Sequence, residues 1–135
     1  MKSKIMLLCA IAAISLCLVA CSSAPSQVSV DASYSGQEVE VAVGVDGSLT
    51  VTLESNASTG FQWELVSISD ETVLEKVANT YEAPEDTGMV GAPGKEIWTF
   101  TTLKKGTSTI SMEYSQPWEN GTKAAETFDL TVVVK

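Results

Sequence analysis

Three short stretches of the chain carry the residues best suited to contact chemistry. Asn56, Ala57, Ser58, Thr59 and Gly60 lead into Phe61-Gln62-Trp63; Gly91, Ala92, Pro93 and Gly94 lead into Ile97-Trp98-Thr99-Phe100; and Gln116, Pro117 and Trp118 form the third. Small residues, glycines and a proline-tryptophan pair suit insertion into another surface better than the making or breaking of bonds. Catalysis fails by subtraction. The chain has no histidine and no arginine, and its cysteines, Cys9, Cys17 and Cys21, all lie near the N-terminus. Ser-His, Cys-His and histidine-metal arrangements therefore cannot be assembled in the folded part. Glu82, Glu85 and Asp86 are close in sequence but lack the alternation and glycine of a calcium loop, and read as a solvated loop. The expectation is a protein that is not an enzyme and takes no metal and no cofactor.

Those stretches need a scaffold to bring them together, and the rest of the chain supplies strand-like alternation. Val39, Val41 and Val43 alternate with polar residues, Gly44-Val45-Asp46-Gly47 has turn chemistry, and Leu49, Val51 and Leu53 alternate again, which predicts a hairpin. Phe61, Trp63 and Leu65 share a face of a third strand. A turn at Ser69-Asp70-Glu71-Thr72 leads into a weaker strand over residues 73–81. Trp98 and Phe100, then Ile110, Met112 and Tyr114, then Phe128, Leu130, Val132 and Val134 mark the remaining strands. Strands at this spacing predict an all-β, immunoglobulin-like antiparallel β-sandwich of about seven or eight strands, with an open barrel as the main rival. If consecutive strands run in opposite directions, alternate connections fall at opposite ends. One end then takes the short polar turns at 44–47, 69–72 and 104–106. The other takes all three contact stretches, on longer loops that also carry Met89 and Val90 beside Pro93, Pro117 and Trp118. Trp63 and Trp98 fall on strand faces and read as core.

The N-terminus has a different character. Lys2 and Lys4 precede an apolar run over residues 5–18, and Leu18-Val19-Ala20-Cys21 has the layout of a bacterial lipobox. Residues 1–20 are expected to be a lipoprotein signal peptide, with Cys21 taking a diacylglycerol as the new N-terminus; the run is short for a membrane span. Residues 21–35, rich in Ser and with few large apolar residues, are expected to be the lipidated cysteine and a flexible tether, and 36–135 the domain. The protein is thus expected at the bacterial cell envelope, held to a membrane through lipid on Cys21. Without the signal, no thiol remains for a disulfide. The chain carries seventeen acids against eight lysines, or six lysines once Lys2 and Lys4 are removed, for a net charge of −11. Such a surface repels nucleic acid, so no nucleic-acid partner is expected.

The three stretches, taken in order, resemble a known family. Asn56-Ala57-Ser58-Thr59-Gly60-Phe61-Gln62-Trp63 is similar to the Asn-Pro-Thr-Thr-Gly-aromatic-x-Trp signature of the chagasin-type inhibitors of papain-like cysteine peptidases. Gly91-Ala92-Pro93-Gly94 with Trp98-Thr99-Phe100 resembles their glycine-rich second loop and following strand, and Gln116-Pro117-Trp118 resembles their Arg-Pro-Trp/Phe third loop. The resemblance covers roughly residues 36–135. It implies a reversible, competitive inhibitor that blocks a papain-like peptidase cleft with three loops at one end of the sandwich. The peptidase-binding residues it implies are Asn56, Ala57, Ser58, Thr59 and Gly60 at the cleft, with Met89, Val90, Gly91 and Gly94 on one flank and Gln116, Pro117 and Trp118 on the other.

Departures from the family pattern bear on affinity. Ala57 stands in place of proline, Pro93 in place of a small residue, and Gln116 in place of arginine. Asn56 and Gly60 could also make an ordinary turn, with Asn56 holding the loop's shape. Gly91 and Gly94 either permit a tight loop or let its backbone approach a partner, and Trp118 either folds back onto the core or stands out as a contact anchor. An envelope adhesion module, using the same loop end with Trp118 and Tyr81 as stacking platforms for a glycan or protein, is the alternative reading.

Overall fold

The computed structural model describes residues 23–32, 35–85 and 91–135. The expected signal and Cys21 lie outside the described residues, as do Asp86, Met89 and Val90.

Eight strands form, with apolar side chains alternating in most of them but not in β5: β1 (Gln27–Asp31), β2 (Gln37–Val41), β3 (Ser48–Ser55), β4 (Gln62–Ile68), β5 (Leu74–Glu82), β6 (Gly94–Thr102), β7 (Gly106–Ser115) and β8 (Glu126–Val134). They make two four-stranded sheets, in the orders β1-β3-β6-β5 and β2-β8-β7-β4. The inward positions fill the space between them. Leu49, Val51 and Leu53 of β3 face Ile110 and Met112 of β7 and Phe128, Leu130 and Val132 of β8, with Trp98 and Phe100 of β6 at the centre, all buried. Each such side chain contributes about 1.5–3 kcal/mol by leaving water. Trp63 and Trp98 are core residues, as their strand positions predicted.

Two expectations are corrected. The alternating runs on either side of 44–47 are not a hairpin: β2 pairs with β8, whereas β3 pairs with β6 in the other sheet. The 42–47 connection passes between the layers, where Gly47 leaves room for the Thr102 side chain and the Ala42 carbonyl. The tether does not extend to residue 35 either. Residues 27–31 are β1, paired with β3 from Gln27↔Ser48 to Asp31↔Thr52 with Val30 buried. The pairing at one edge of each sheet, β1 with β3 and β2 with β8, is parallel; the other four are antiparallel.

From β2 onward, consecutive strands still alternate in direction, so the alternate connections separate as expected. Thr102 N donates to Gly47 O and Leu103 N to Val73 O, which joins the connections 42–47, 69–73 and 103–105 at one pole. There the Asp70 carboxylate accepts from the Thr72 hydroxyl and amide, bonds that hold its carboxyl below the ordinary 3.8. On one open side the edge strands β4 and β5 each carry a bulge, around Val66 and Val77, and both valines are exposed. Such bulges disrupt the regular ladder that another strand would need in order to pair there.

Candidate functional site

At the other pole, the first loop is built around Asn56. This residue caps a 3₁₀ turn over Ala57–Thr59, its Oδ1 accepting from Ser58 N at 3.2 Å and Ser58 Oγ at 2.6 Å. Thr59 N and Thr59 Oγ1 both donate to Asn56 O, at 3.1 and 2.7 Å, and Gly60 N donates to Ala57 O at 3.2 Å. Gly60 closes the turn at φ 77°, a left-handed conformation that a side chain would strain. The loop's base is fixed by Tyr114 of β7, whose hydroxyl accepts Asn56 N at 2.9 Å and whose ring lies between Phe61 at 5.2 Å and Trp63 at 5.1 Å. Ala57, Ser58 and Thr59 remain exposed at the tip.

Direct bonds join this loop to its neighbours. Asn56 Nδ2 donates to Gly91 O at 3.0 Å, linking it to the second loop. On the third-loop side, the six-membered ring of Trp118 packs against Gly60; a Cβ built there would sit 2.2 Å from its Cη2 and 2.8 Å from its Cζ3. Gln116 Nε2 also reaches Thr59 O at 3.5 Å. The third loop has its own frame. Gln116 N donates to Thr122 O at 2.8 Å, Thr122 N to Gln116 Oε1 at 2.9 Å, and Gly121 N to Trp118 O at 3.1 Å. Lys123 Nζ spans the loop, donating to Gln116 O and to Trp118 O. Trp118 is half exposed, so it neither folds into the core nor stands free.

Below the rim, a cleft of about 520 Å³ runs from Trp118 and Pro117 past Gly60 to Tyr81 and Asn79. At its side the buried Glu96 carboxylate accepts Trp63 N at 2.8 Å and ties β6 to β4 across the layers. Asn56→Ala should remove the cap and the bond to Gly91 together, lowering stability by about 1–2 kcal/mol in urea unfolding. Asn56→Asp should keep the cap and lose only the cross-loop donor, giving a smaller change.

The structure thus places Asn56, Ala57, Ser58, Thr59, Gly60, Gly91, Gln116, Pro117 and Trp118 at one pole, while Met89 and Val90 lie outside the described residues. Gly94 differs. It is buried as the first residue of β6, and the space a Cβ would take is filled by Glu82 O and the Tyr81 hydroxyl, so its smallness serves internal packing. Three supporting residues were not singled out from the sequence. Glu96 had a signal, an acid at an inward position two residues before Trp98; Tyr114 was read only as a strand residue, and Lys123 left no pattern.

The profile of the "Chagasin family peptidase inhibitor I42" family matches residues 42–132. The chain belongs to the chagasin family. The family match bears out the sequence resemblance, and the contact loops lie within the matched span. Among curated chagasin-family relatives, the chain is 32% identical over 109 residues to chagasin of Trypanosoma cruzi, covering 78% of this chain and 94% of that protein. It is 34% identical over 88 residues to amoebiasin-2 of Entamoeba histolytica, covering 64% and 70% respectively. The fold is similar to that of the cysteine protease inhibitor EhICP2 from Entamoeba histolytica, with TM-score 0.68 and 24% identity over 82% of this chain and 99% of that one. It is also similar to PbICP-C solved in complex with falcipain-2, with TM-score 0.55 and 23% identity over 79% and 98%. The chagasin-family domain is an inhibitor, not an enzyme.

Proposed function

We propose that the domain inhibits papain-like cysteine peptidases reversibly and competitively, by seating the 56–60 loop in the active-site cleft between two flanking grips. The observation that carries this reading is the bonding of three loops into one rim, through Asn56 to Gly91 and through Trp118 over Gly60. A rim already held in shape loses little entropy on docking. Its central loop is also a poor substrate. The carbonyls of Asn56 and Ala57 are engaged inside the turn, so the backbone is not laid out extended for attack by the peptidase thiolate. Gly91 and Gln116-Pro117-Trp118 would grip the cleft walls, and the capture of falcipain-2 by a relative of the same fold supports a target of this class.

Titration of papain or a cathepsin with the purified domain tests the reading, with active-site competition expected; no inhibition at micromolar concentration would overturn it. In the same assay, Trp118→Ala should weaken inhibition by roughly 30-fold, about 2 kcal/mol, as a half-exposed aromatic at the edge of an interface would. An unchanged inhibition constant would remove Trp118 from the contact.

The lipobox supports a second part of the proposal, anchoring at the bacterial envelope through diacylglycerol on Cys21. Incorporation of labelled palmitate that disappears in Cys21→Ala is the expected result, and equal labelling of both proteins would refute it.

A further inference from the structure

The chain enters the fold at the pole opposite the contact loops. Pro25 O accepts Ala42 N at 2.7 Å and Ser26 O accepts Ser48 N at 2.8 Å, which pins residues 25–26 beside the 42–47 connection before β1 climbs along β3. Four peptide units separate Cys21 from Pro25, a reach of at most about 14 Å. The eight residues of β3 alone rise about 27 Å toward the contact loops. A lipid on Cys21 would therefore hold this pole close to the bilayer.

The surface of the pole suits that position. Val45 is fully exposed and Leu103 is 46% exposed. Lys104 and Lys105 are exposed beside Leu103, and Lys135 is brought here by the bond from Val43 N to its carbonyl and pairs with Glu40. Asp46, Asp70, Glu71 and the Glu40 that pairs with Lys135 share the pole, four carboxylates against three lysines, whereas the rest of the chain after residue 20 carries thirteen carboxylates against three lysines. An anionic membrane therefore repels this pole less than it repels the rest of the domain.

We propose that this pole is a membrane-facing surface, set by the lipid on Cys21 against phospholipid head groups, with Val45 and Leu103 entering the interface and Lys104 and Lys105 meeting the phosphates. The contact loops then always point into the aqueous space, and a peptidase is met on the side away from the membrane. The lysine stems lie along the interface while their ammonium groups stay at head-group level. The proposal rests on lipidation of Cys21 and is independent of which peptidase is bound.

The test uses the full chain, exported by a bacterial host, purified with its lipid and reconstituted in phosphatidylethanolamine–phosphatidylglycerol vesicles. Past Cys21 the chain has no cysteine, so Val45→Cys or Glu119→Cys places an environment-sensitive fluorophore at one pole or the other. Mass spectrometry of the N-terminal peptide first establishes the state of Cys21. With lipid present, the fluorophore at position 45 should shift to the blue and be quenched by head-group spin-labelled lipid, the one at position 119 should do neither, and Lys104→Glu with Lys105→Glu should reduce the quenching at 45. Lipid on Cys21 with no quenching at position 45, or with equal quenching at both positions, overturns the orientation and leaves the anchor standing. Quenching at 45 that is indifferent to the lysine reversals overturns the phosphate contact. A Cys21 without lipid overturns the anchor and the proposal with it, whatever the inhibition assay shows.

Discussion

Replacing Gly60 with alanine should weaken inhibition of a papain-like peptidase by about 100-fold, roughly 2.7 kcal/mol, while the domain stays folded. Two costs act at this position. The backbone at φ 77° is strained by any side chain, and the added carbon would sit 2.2 Å from the Trp118 ring, well inside contact distance. Either the turn opens or the indole swings away. In both cases Thr59 and Trp118 no longer share one rigid rim, and the order that was present before docking must be imposed during it. Both costs act in the free domain, so the melting transition should also fall, by several degrees for a loss of about 1 kcal/mol, with the domain still folded at assay temperature. A double-mutant cycle isolates the ring contact: with Trp118→Ala in place, Gly60→Ala should lose much of its effect, leaving a coupling of about 1 kcal/mol or more. Additive losses would show that the indole does not depend on the glycine.

The largest effect on stability should come from Phe100→Ala, at about 3–5 kcal/mol. Phe100 is fully buried on β6, the strand to which both β3 and β5 are bonded. Its partners in the register are Leu49 on one side and Lys76 on the other, so the ring sits where the first sheet meets the core of the second. Truncation removes the burial of the ring and leaves a cavity that two paired neighbours prevent from collapsing. Against a total stability of order 5–15 kcal/mol, that loss is a large fraction. Urea titration should show a lower midpoint with an unchanged slope, and the molecules that remain folded should inhibit normally. A loss below about 1 kcal/mol would mean that the core repacks around the gap.

Much of this architecture was legible because strand alternation and loop composition are local. Leu49, Val51 and Leu53, or Phe128, Leu130, Val132 and Val134, declare a buried face by spacing alone, and β-strand periodicity leaves little freedom in which side chains turn inward. The number of reversals between strands then set which connections share a pole. That inference did not depend on knowing the strand partners, which is why it survived the misreading of residues 39–53 as a hairpin.

Pairing is a different matter, because a strand's partner is chosen by backbone bonds to residues far along the chain. Gly44 and Gly47 signal a turn without saying whether the chain returns in its own sheet or crosses to the other; the pairing of β3 with β6 decides that. The composition of residues 21–35 predicts a tether, yet its part with Val28 and Val30 becomes β1 because β3 offers it an open edge. The sequence by itself determined the class of fold, the absence of a catalytic apparatus and the grouping of the three contact loops. Only the tertiary structure decided that Gly94 serves internal packing, that Tyr114, Glu96 and Lys123 support the rim, and that Trp118 rests on Gly60. These roles arise from contacts between residues distant along the chain, which leave little or no local period to read.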